Sequence, residues 1–383
     1  MKAIIIGAGF SGAACARRLA EQGCDVLLLE RSAHIGGNAY DEKKNGAFVH
    51  RYGPHIFHTN NERVVKFLSR FTEWFPYEHR VLADLHGVFV PVPFNLDSLH
   101  RTFPEDKAAK LEAVLLREYG EGKKVPILEL RKNPDADVRA FADFVFENIF
   151  RFYTEKQWGR KIEQLDPSIM QRVPVYVSRE DRYFTDTFQL QPKDGFTALF
   201  ERMLDHPNIR IVTGTDALTR LRVGEDGVFF DGAPCTDKVI FTGQADELLG
   251  YRFGKLPYRS LRFEFKTVPA PFQPAAVVNY TVSEAYTRIS EFDKFTVERP
   301  AGDTSEIVYE YPQEYEAGKG MIAYYPVVNE ENLALYEKYR AFLARFPHFH
   351  LLGRLGNYRY INMDAAVADA LTLADRLTAD RED

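Results

Sequence analysis

Residues 3–31, AIIIGAGFSGAACARRLAEQGCDVLLLER, constrain the fold of this chain more than any other stretch. An apolar run, Ile4 to Ile6, enters a turn carrying Gly7, Gly9 and Gly12. A helix-patterned segment follows, and a second apolar run, Val26 to Leu29, ends at Glu30. The order predicts strand, glycine turn, helix and strand. In a dinucleotide fold Gly7 permits a tight turn, Gly9 lets the backbone approach a pyrophosphate, and Gly12 lets the helix sit close to the first strand. The helix start then offers free N–H groups and the positive end of its dipole to phosphate oxygens. Glu30 stands about where a carboxylate is needed for ribose hydroxyls. A bare glycine pattern says little, but its place between two strand-like runs with a terminal acid makes this an adenine-dinucleotide site.

At 383 residues the chain exceeds one ordinary core, so more than one domain is expected. Its 30 Phe and 20 Tyr supply rings for clefts as well as for packing. Lys and Arg number 49 against 55 Asp and Glu, and the net charge of −6 argues against nucleic acid or an anionic membrane as the main partner. Cys15, Cys24 and Cys235 show neither metal spacing nor a disulfide framework, which fits a reducing compartment. No run reaches the ~18 apolar residues of a membrane span, and the sequence opens directly on its first strand. A cytoplasmic protein with no membrane partner is expected. No metal is expected either, because His55 and His58 lack a third ligand at metal-site spacing.

Gly36-Gly37-Asn38 forms a second glycine turn soon after the first. Two such signals close together favour a flavin over a nicotinamide, since one long cofactor must touch several loops. Residues 61–75 read as a helix, and Arg80 to Phe94 as a hairpin turning at His86-Gly87. From Leu96 to about Gln171 the pattern is mainly helical, and Phe141, Phe144, Val145, Ile149 and Phe152 recur at helical spacing as a core stripe. Residues 172–192 read as extended and dense in Arg and Tyr. GFTALFERMLDHPNIRIVTGT and DKVIFTG return to the dinucleotide domain. Beyond Tyr258, LRFEFKTV, AAVVNYTV, EIVYEYP and MIAYYPV are aromatic and β-branched strands. A helix over EENLALYEKYRAFLARFP, a strand ending at Gly353-Arg354 and a helix from near Asp364 close the chain.

The expected fold class is α/β: a Rossmann-like FAD-binding domain with a helical-bundle insertion and an antiparallel β-sheet substrate domain. The expected boundaries are 1–80 for the first part of the FAD-binding domain, 81–180 for the mainly helical insertion, 181–257 for the second part of the FAD-binding domain, 258–330 for the antiparallel sheet and 331–383 for the C-terminal part of the FAD-binding domain.

GAGFSG, LLLERSAHIGGNAYD, YGPHIFHT, FYTEKQWG, RVPV, DRYF, YTRISE, AYYPV and GRLGNYRYINMD, in this order, closely resemble the bacterial UDP-galactopyranose mutase family, from residue 4 to about 366. The first motif is shared by many flavoproteins, whereas YGPHIFHT, YTEKQWG and GRLGNYRY are far more discriminating. The resemblance implies FAD, active when reduced, and interconversion of UDP-galactopyranose and UDP-galactofuranose through a covalent flavin N5–sugar adduct with no net redox change. It also implies a homodimer. The organic chemistry would be the cofactor's, and the protein would contribute position and electrostatics.

By the same resemblance, Arg172 and Arg288 clamp the diphosphate, which suits the planar fork of arginine. Tyr183, Tyr325 and Tyr360 match tyrosines that hydrogen-bond it. Phe150 and Tyr153 stack near the uracil, Thr154 and Trp158 line the uridine and sugar side, and Asn279 matches an asparagine of the uridine pocket. His58 lies near the flavin ring, and Glu310 resembles an active-site glutamate. The cofactor contacts implied are Gly7, Gly9, Phe10, Gly12, Glu30, Arg31, Gly37, Asn38, His55, Ile56, Arg354, Tyr360, Asn362 and Met363. A loop over the site is implied at residues 166–180.

Two positions depart from the family pattern. His79 stands where many members have asparagine, and Asn362 where several have aspartate, keeping a hydrogen-bonding side chain without the charge. Two other readings share the N-terminal motif. An amine-oxidase-like FAD oxidoreductase would need an apolar or amine-binding cavity, and a binding protein retaining the fold without flavin would need no reactive site.

Overall fold

The computed structural model describes residues 1–159, 161–164, 174–296 and 302–379. Arg172 and most of the expected loop at 166–180 lie outside the described residues. Two sheets organise the rest.

The first is a parallel sheet of five strands, in the order Ile209–Val212, Asp25–Leu29, Lys2–Ile6, Lys238–Phe241 and Phe349–Leu351. Its central strand is apolar throughout its buried length because both of its faces are covered. One face packs against the helix Phe10–Glu21, whose Ala13, Ala14 and Ala16 let the C-terminal helix Met363–Ala379 lie close through Ala366, Val367 and Ala370. The other face carries Ile4, Ile6, Val239 and Phe241 against Tyr336, Tyr339 and Phe342 of the helix Glu330–Leu343.

The second sheet has seven strands, in the order Tyr325–Pro326, Tyr258–Pro269, Thr304–Glu314, Arg288–Glu291, Val277–Tyr280, Val81–Leu85 and Val88–Val92. All neighbours are antiparallel except Val277–Tyr280 with Val81–Leu85. The hairpin forms where its turn residues direct it, with His86 and Gly87 both at positive φ, 54° and 93°. Its hydrogen bonds run on to Val277–Tyr280, so residues 81–92 extend the sheet although they stand at the start of the expected helical insertion. The helices Leu96–Thr102, Glu105–Tyr119 and Ala136–Val145 cover one face, burying Leu99, Leu115, Phe141 and Val145 against Val81, Val90, Val277 and Val308.

Two sequence expectations need correction. The core stripe loses its last member: Phe141, Val145 and Ile149 are buried, but Phe152 is 39% exposed. Residues Phe146–Arg151 form a π-helical turn, and the wider turn rotates the next residue off the buried face. The helix expected over 61–75 spans only Glu62–Leu68. The Asn61 side chain caps its start by accepting from Arg63 N and Val64 N at 3.1 and 3.3 Å. Trp74–Pro76 instead joins a small sheet with Phe188–Pro192, which also pairs with Phe57–Thr59.

Candidate functional site

The site begins at the first glycine turn. Gly7 adopts a φ of +101°, and a Cβ on Gly12 would strike the Gly7 carbonyl, so the helix start lies directly on the strand end. The second glycine turn touches the first, since a Cβ on Gly37 would lie 2.9 Å from the Gly9 Cα. Glu30 is buried, and its carboxylate accepts from Ala8 N at 2.7 Å and Ser32 N at 2.8 Å, bracing the turn. Arg31 stands at the surface in an exposed pair with Glu247. From the far end of the chain, Arg354 donates to the Ile361 carbonyl at 2.6 Å and to the Tyr324 carbonyl at 3.2 Å, and its guanidinium lies 5.0 Å from the Tyr325 ring. The Asn362 carbonyl accepts from Ala366 N at 3.1 Å at the start of the last helix.

Three cavities run on from this turn. The first, about 180 Å³, is lined by Gly9, Phe10, Gly12 and Gly36. It shares Asn38, His55, Arg354, Asn362 and Met363 with a central cavity of about 380 Å³. The central cavity in turn shares Tyr153, Gln157, Tyr183, Asn279 and Tyr360 with an aromatic chamber of about 1030 Å³. One continuous cleft therefore leads from the dinucleotide turn, past the seven-stranded sheet, to the end of the helical insertion.

The central cavity's polar wall is a single rung of the seven-stranded sheet. Ala83 pairs with Asn279, Asn279 with Arg288, Arg288 with Glu310, and Glu310 with Phe263. Residues opposite one another across strands project to the same face, so Asn279, Arg288 and Glu310 stand side by side on the cavity. Arg288 donates from Nη2 to Glu310 Oε1 at 2.8 Å. Burial works against the guanidinium charge, but Glu310 beside it holds its pKa well above the ordinary arginine value. Arg288 Nε, Glu310 Oε2 and Asn279 Oδ1 are buried without a hydrogen-bond partner among the described residues. Each such atom is costly unless something else satisfies it.

Histidines line the seam between the two sheets. The His55 backbone N donates to His50 Nδ1 at 2.9 Å, and its own ring Nδ1 contacts the Gly53 carbonyl at 2.8 Å. Burial pushes both rings down to about 3. His79 is likewise pushed down to about 3, by burial first and then by Arg288. His58 contacts Asp186 through Nδ1 at 2.9 Å, and its ring stacks on Phe184 with centroids 3.6 Å apart.

The aromatic chamber is built on the short helix Phe152–Trp158, which brings Tyr153, Thr154, Gln157 and Trp158 to one wall beside Phe150. Lys156 fastens this helix to the sheet by donating to the carbonyls of Tyr280, Glu284 and Tyr286 at 2.6, 2.9 and 3.2 Å. Arg259 Nε, from the same sheet, donates to the Gln157 carbonyl at 2.9 Å. Tyr325 and Tyr360 stack with centroids 5.3 Å apart, and burial raises the Tyr325 hydroxyl to about 12.

Most residues singled out in the sequence thus meet. His58, Tyr153, Tyr183, Asn279, Arg288, Glu310, Tyr325 and Tyr360 line the central cavity together with Asn38, His55, Ile56, Arg354, Asn362 and Met363. Phe150, Thr154 and Trp158 line only the chamber. Gly7, Glu30 and Gly37 shape the turn from behind. Arg31 stays at the surface, and Arg172 lies outside the described residues. Sequence reasoning missed Phe184, Gln157 and Asp186. Phe184 lies within the DRYF motif beside Tyr183, but Asp186 meets His58 across 128 residues and no spacing signals it.

These residues fit a long dinucleotide: the crossed glycine turns form a cradle that a Cβ would fill, and the cleft continues past it. Fold and site together define a flavin-dependent protein of the Rossmann type. A sequence model of NAD(P)-binding Rossmann-like domains matches residues 5–71, and one of UDP-galactopyranose mutase matches residues 148–360. The chain belongs to the UDP-galactopyranose mutase family.

It is 35% identical over 381 residues to a UDP-galactopyranose mutase of Mycoplasma pneumoniae, covering 98% of this chain and 95% of that one. It is 36% identical over 375 residues to a Klebsiella pneumoniae protein named "Probable UDP-galactopyranose mutase", covering 97% and 93%. A dTDP-fucopyranose mutase of Escherichia coli is 33% identical over 378 residues, covering 97% of each chain. The crystal structure of a reduced UDP-galactopyranose mutase superposes with a TM-score of 0.75 at 18% identity, covering 99% of this chain and 95% of that one. Likeness to (S)-6-hydroxynicotine oxidase of Paenarthrobacter nicotinovorans, in contrast, spans 101 residues, 24% of this chain.

Proposed function

We propose that this protein is a FAD-dependent isomerase that interconverts UDP-galactopyranose and UDP-galactofuranose with no net redox change, working with reduced FAD. The observation that carries the reading is the rung Asn279, Arg288 and Glu310. It presents a half-buried cation, and polar atoms lacking partners among the described residues, to a cavity continuous with the dinucleotide turn. An amine oxidase would have no use for an arginine charge facing the cavity at this place, whereas a diphosphate would.

Gly9, Phe10, Asn38, His55, Ile56, Arg354 and Met363 would hold the cofactor along the first two cavities. When bound and reduced, the flavin supplies a nucleophile and an acid/base group for the sugar's anomeric centre. The chain's own residues bind and orient the nucleotide sugar. Arg288 stands ready with a fixed charge for the leaving diphosphate, in a site where water is limited and the electrostatic interaction is correspondingly strong. The hydroxyls of Tyr183, Tyr325 and Tyr360 supply neutral donors around it. Phe150, Tyr153 and Trp158 give the base flat apolar faces, with Thr154 and Asn279 as the polar handles that orient it. Arg172 completes the clamp in this reading, and Glu310 holds Arg288 in place while leaving one oxygen to the cavity.

No helix of the described residues is long and apolar enough to cross a membrane. Cys15, Cys24 and Cys235 are buried and carry thiols, not disulfides, which supports a cytoplasmic enzyme. A homodimer serving galactofuranose synthesis for surface polysaccharide completes the reading, with light scattering as the check on its mass.

The test is to supply UDP-galactofuranose to the FAD-loaded protein under dithionite and, in parallel, fully oxidised. Pyranose product is expected strongly only after reduction, and equal turnover in both would overturn the proposal. A parallel assay with dTDP-fucofuranose measures the preference for base and sugar.

A further inference from the structure

His58 is held on two sides. Its backbone lies in the strand Phe57–Thr59, paired with Gln189, and one ring face stacks on Phe184 at 3.6 Å with 11° between planes. Its Nδ1 meets Asp186 Oδ2 at 2.9 Å, and a carboxylate can only accept, so Nδ1 carries the proton. The nitrogen left over is Nε2, on a residue that lines the central cavity with Arg288 and Glu310.

Asp186 is itself oriented. Thr187 N donates to Asn60 Oδ1 at 2.8 Å, which fixes the amide of Asn60 and turns its Nδ2 to donate to Asp186 Oδ1 at 3.0 Å. A directional relay therefore runs from the surface, where Asn60 and Asp186 line a shallow depression, to the cavity wall. The direction of the Asn60 amide follows from one backbone N–H, and that of the His58 contact from the acceptor-only carboxylate.

We propose that Asp186, oriented by Asn60, is a positioning residue that locks His58 in its Nδ1–H tautomer, so that Nε2 faces the cavity as a hydrogen-bond acceptor for an O–H or N–H donor of the bound ligand. The tautomer of an imidazole is set by the partner of its other nitrogen. The proposal rests on the reading of the central cavity as the reaction site.

The relay makes a near-isosteric test possible. In Asp186→Asn, the new amide must keep its oxygen toward Asn60 Nδ2, which places its NH2 against His58 Nδ1. That forces the ring into the Nε2–H form and turns the cavity-facing acceptor into a donor. In the double variant Asn60→Asp with Asp186→Asn, residue 60 accepts from both Thr187 N and the new amide. The amide oxygen then returns to His58, and the original tautomer is restored with the net charge unchanged.

The readouts are the 15N shifts of the His58 ring in FAD-loaded, histidine-labelled protein, kcat under dithionite, and UDP affinity by calorimetry. In Asp186→Asn the shifts should report Nε2–H and kcat should fall at least about tenfold, while UDP affinity stays within about twofold. The double variant should return to Nδ1–H and recover kcat to within about threefold. An Asp186→Asn protein that keeps the Nδ1–H ring, or one whose ring inverts with kcat unchanged, would overturn the proposal. If that variant does not fold, a double variant showing Nε2–H does the same. The shifts need no turnover, so a natural chain without mutase activity would sink the functional reading while leaving the positioning role to be decided by the ring nitrogens.

Discussion

At the glycine turn the chain satisfies its own polar groups: Ala8 N and Ser32 N both reach the Glu30 carboxylate, and Gly9 lies against Gly37 with no side chain between. On the antiparallel rung the opposite holds, and Arg288 Nε, Glu310 Oε2 and Asn279 Oδ1 are buried with no partner among the described residues. Each such atom costs roughly 1–3 kcal/mol if left unmet. The turn is therefore settled by contacts within the chain, whereas the rung holds polar atoms that the proposed substrate would meet. In the proposed function, holding the cofactor falls to the parallel sheet and working on the substrate to the mainly antiparallel one.

That division can be broken by experiment, and the turn should give the largest effect. Gly12→Val places a side chain into the Gly7 carbonyl, with no room to shift because the obstacle is backbone. The purified protein is expected to carry at least about tenfold less FAD by its absorbance ratio and to melt lower, since overpacking adds strain to lost binding. Full flavin content would show that the turn is not the cradle.

Arg288→Ala strikes the other region. It removes a half-buried cation and leaves the buried Glu310 carboxylate without its partner, a change of up to about 3–5 kcal/mol, the range for breaking a fully buried pair. FAD should remain bound, and kcat/KM under dithionite should fall about 100-fold or more. Flavin loss in this variant would collapse the distinction between the two sheets.

The seam between them gives the smallest and most graded effect. His50, His55 and His79 titrate near 6.5 when unfolded and are pushed to about 3 by burial in the fold. Between those values the unfolded chain binds more protons. The stability these residues contribute is therefore complete above about pH 6.5 and declines as pH falls toward 3, by up to ~1.4 kcal/mol per pH unit for each ring. His79→Asn, which installs the residue many family members carry, should lessen the fall in thermal midpoint between pH 7.5 and pH 5. An unchanged slope would mean that water reaches this ring and that the seam is open.

How much of this was legible before folding follows the same line. The turn could be read because its requirement is local: glycines at fixed spacing between apolar runs, with Glu30 at the end of the second. The rung could be reached only through resemblance, because Asn279, Arg288 and Glu310 are set side by side by strand register, which no local pattern records. The misplacement of Phe152 had a local cause, but a π-helical turn leaves no mark in hydrophobic spacing until the chain has passed it. Asp186 escaped altogether, since its meaning comes from His58 on a neighbouring strand and from an asparagine whose direction a backbone N–H decides.

The place of the first strand has a consequence for how the protein comes into being. Lys2–Ile6 is bonded to Asp25–Leu29 on one side and to Lys238–Phe241 on the other, and the sheet's edge is finished only by Phe349–Leu351. The hairpin at Val81–Leu85 likewise waits for Val277–Tyr280. On the ribosome, then, this strand meets one neighbour early and keeps its other edge open until Lys238–Phe241 has been made. Arg354 and Met363, which line the cavity at the glycine turn, are made later still. Under the proposed function, flavin capture would have to wait for them, and a polypeptide stalled before residue 349 would carry the glycine turn without the residues that line the other side of its cavity.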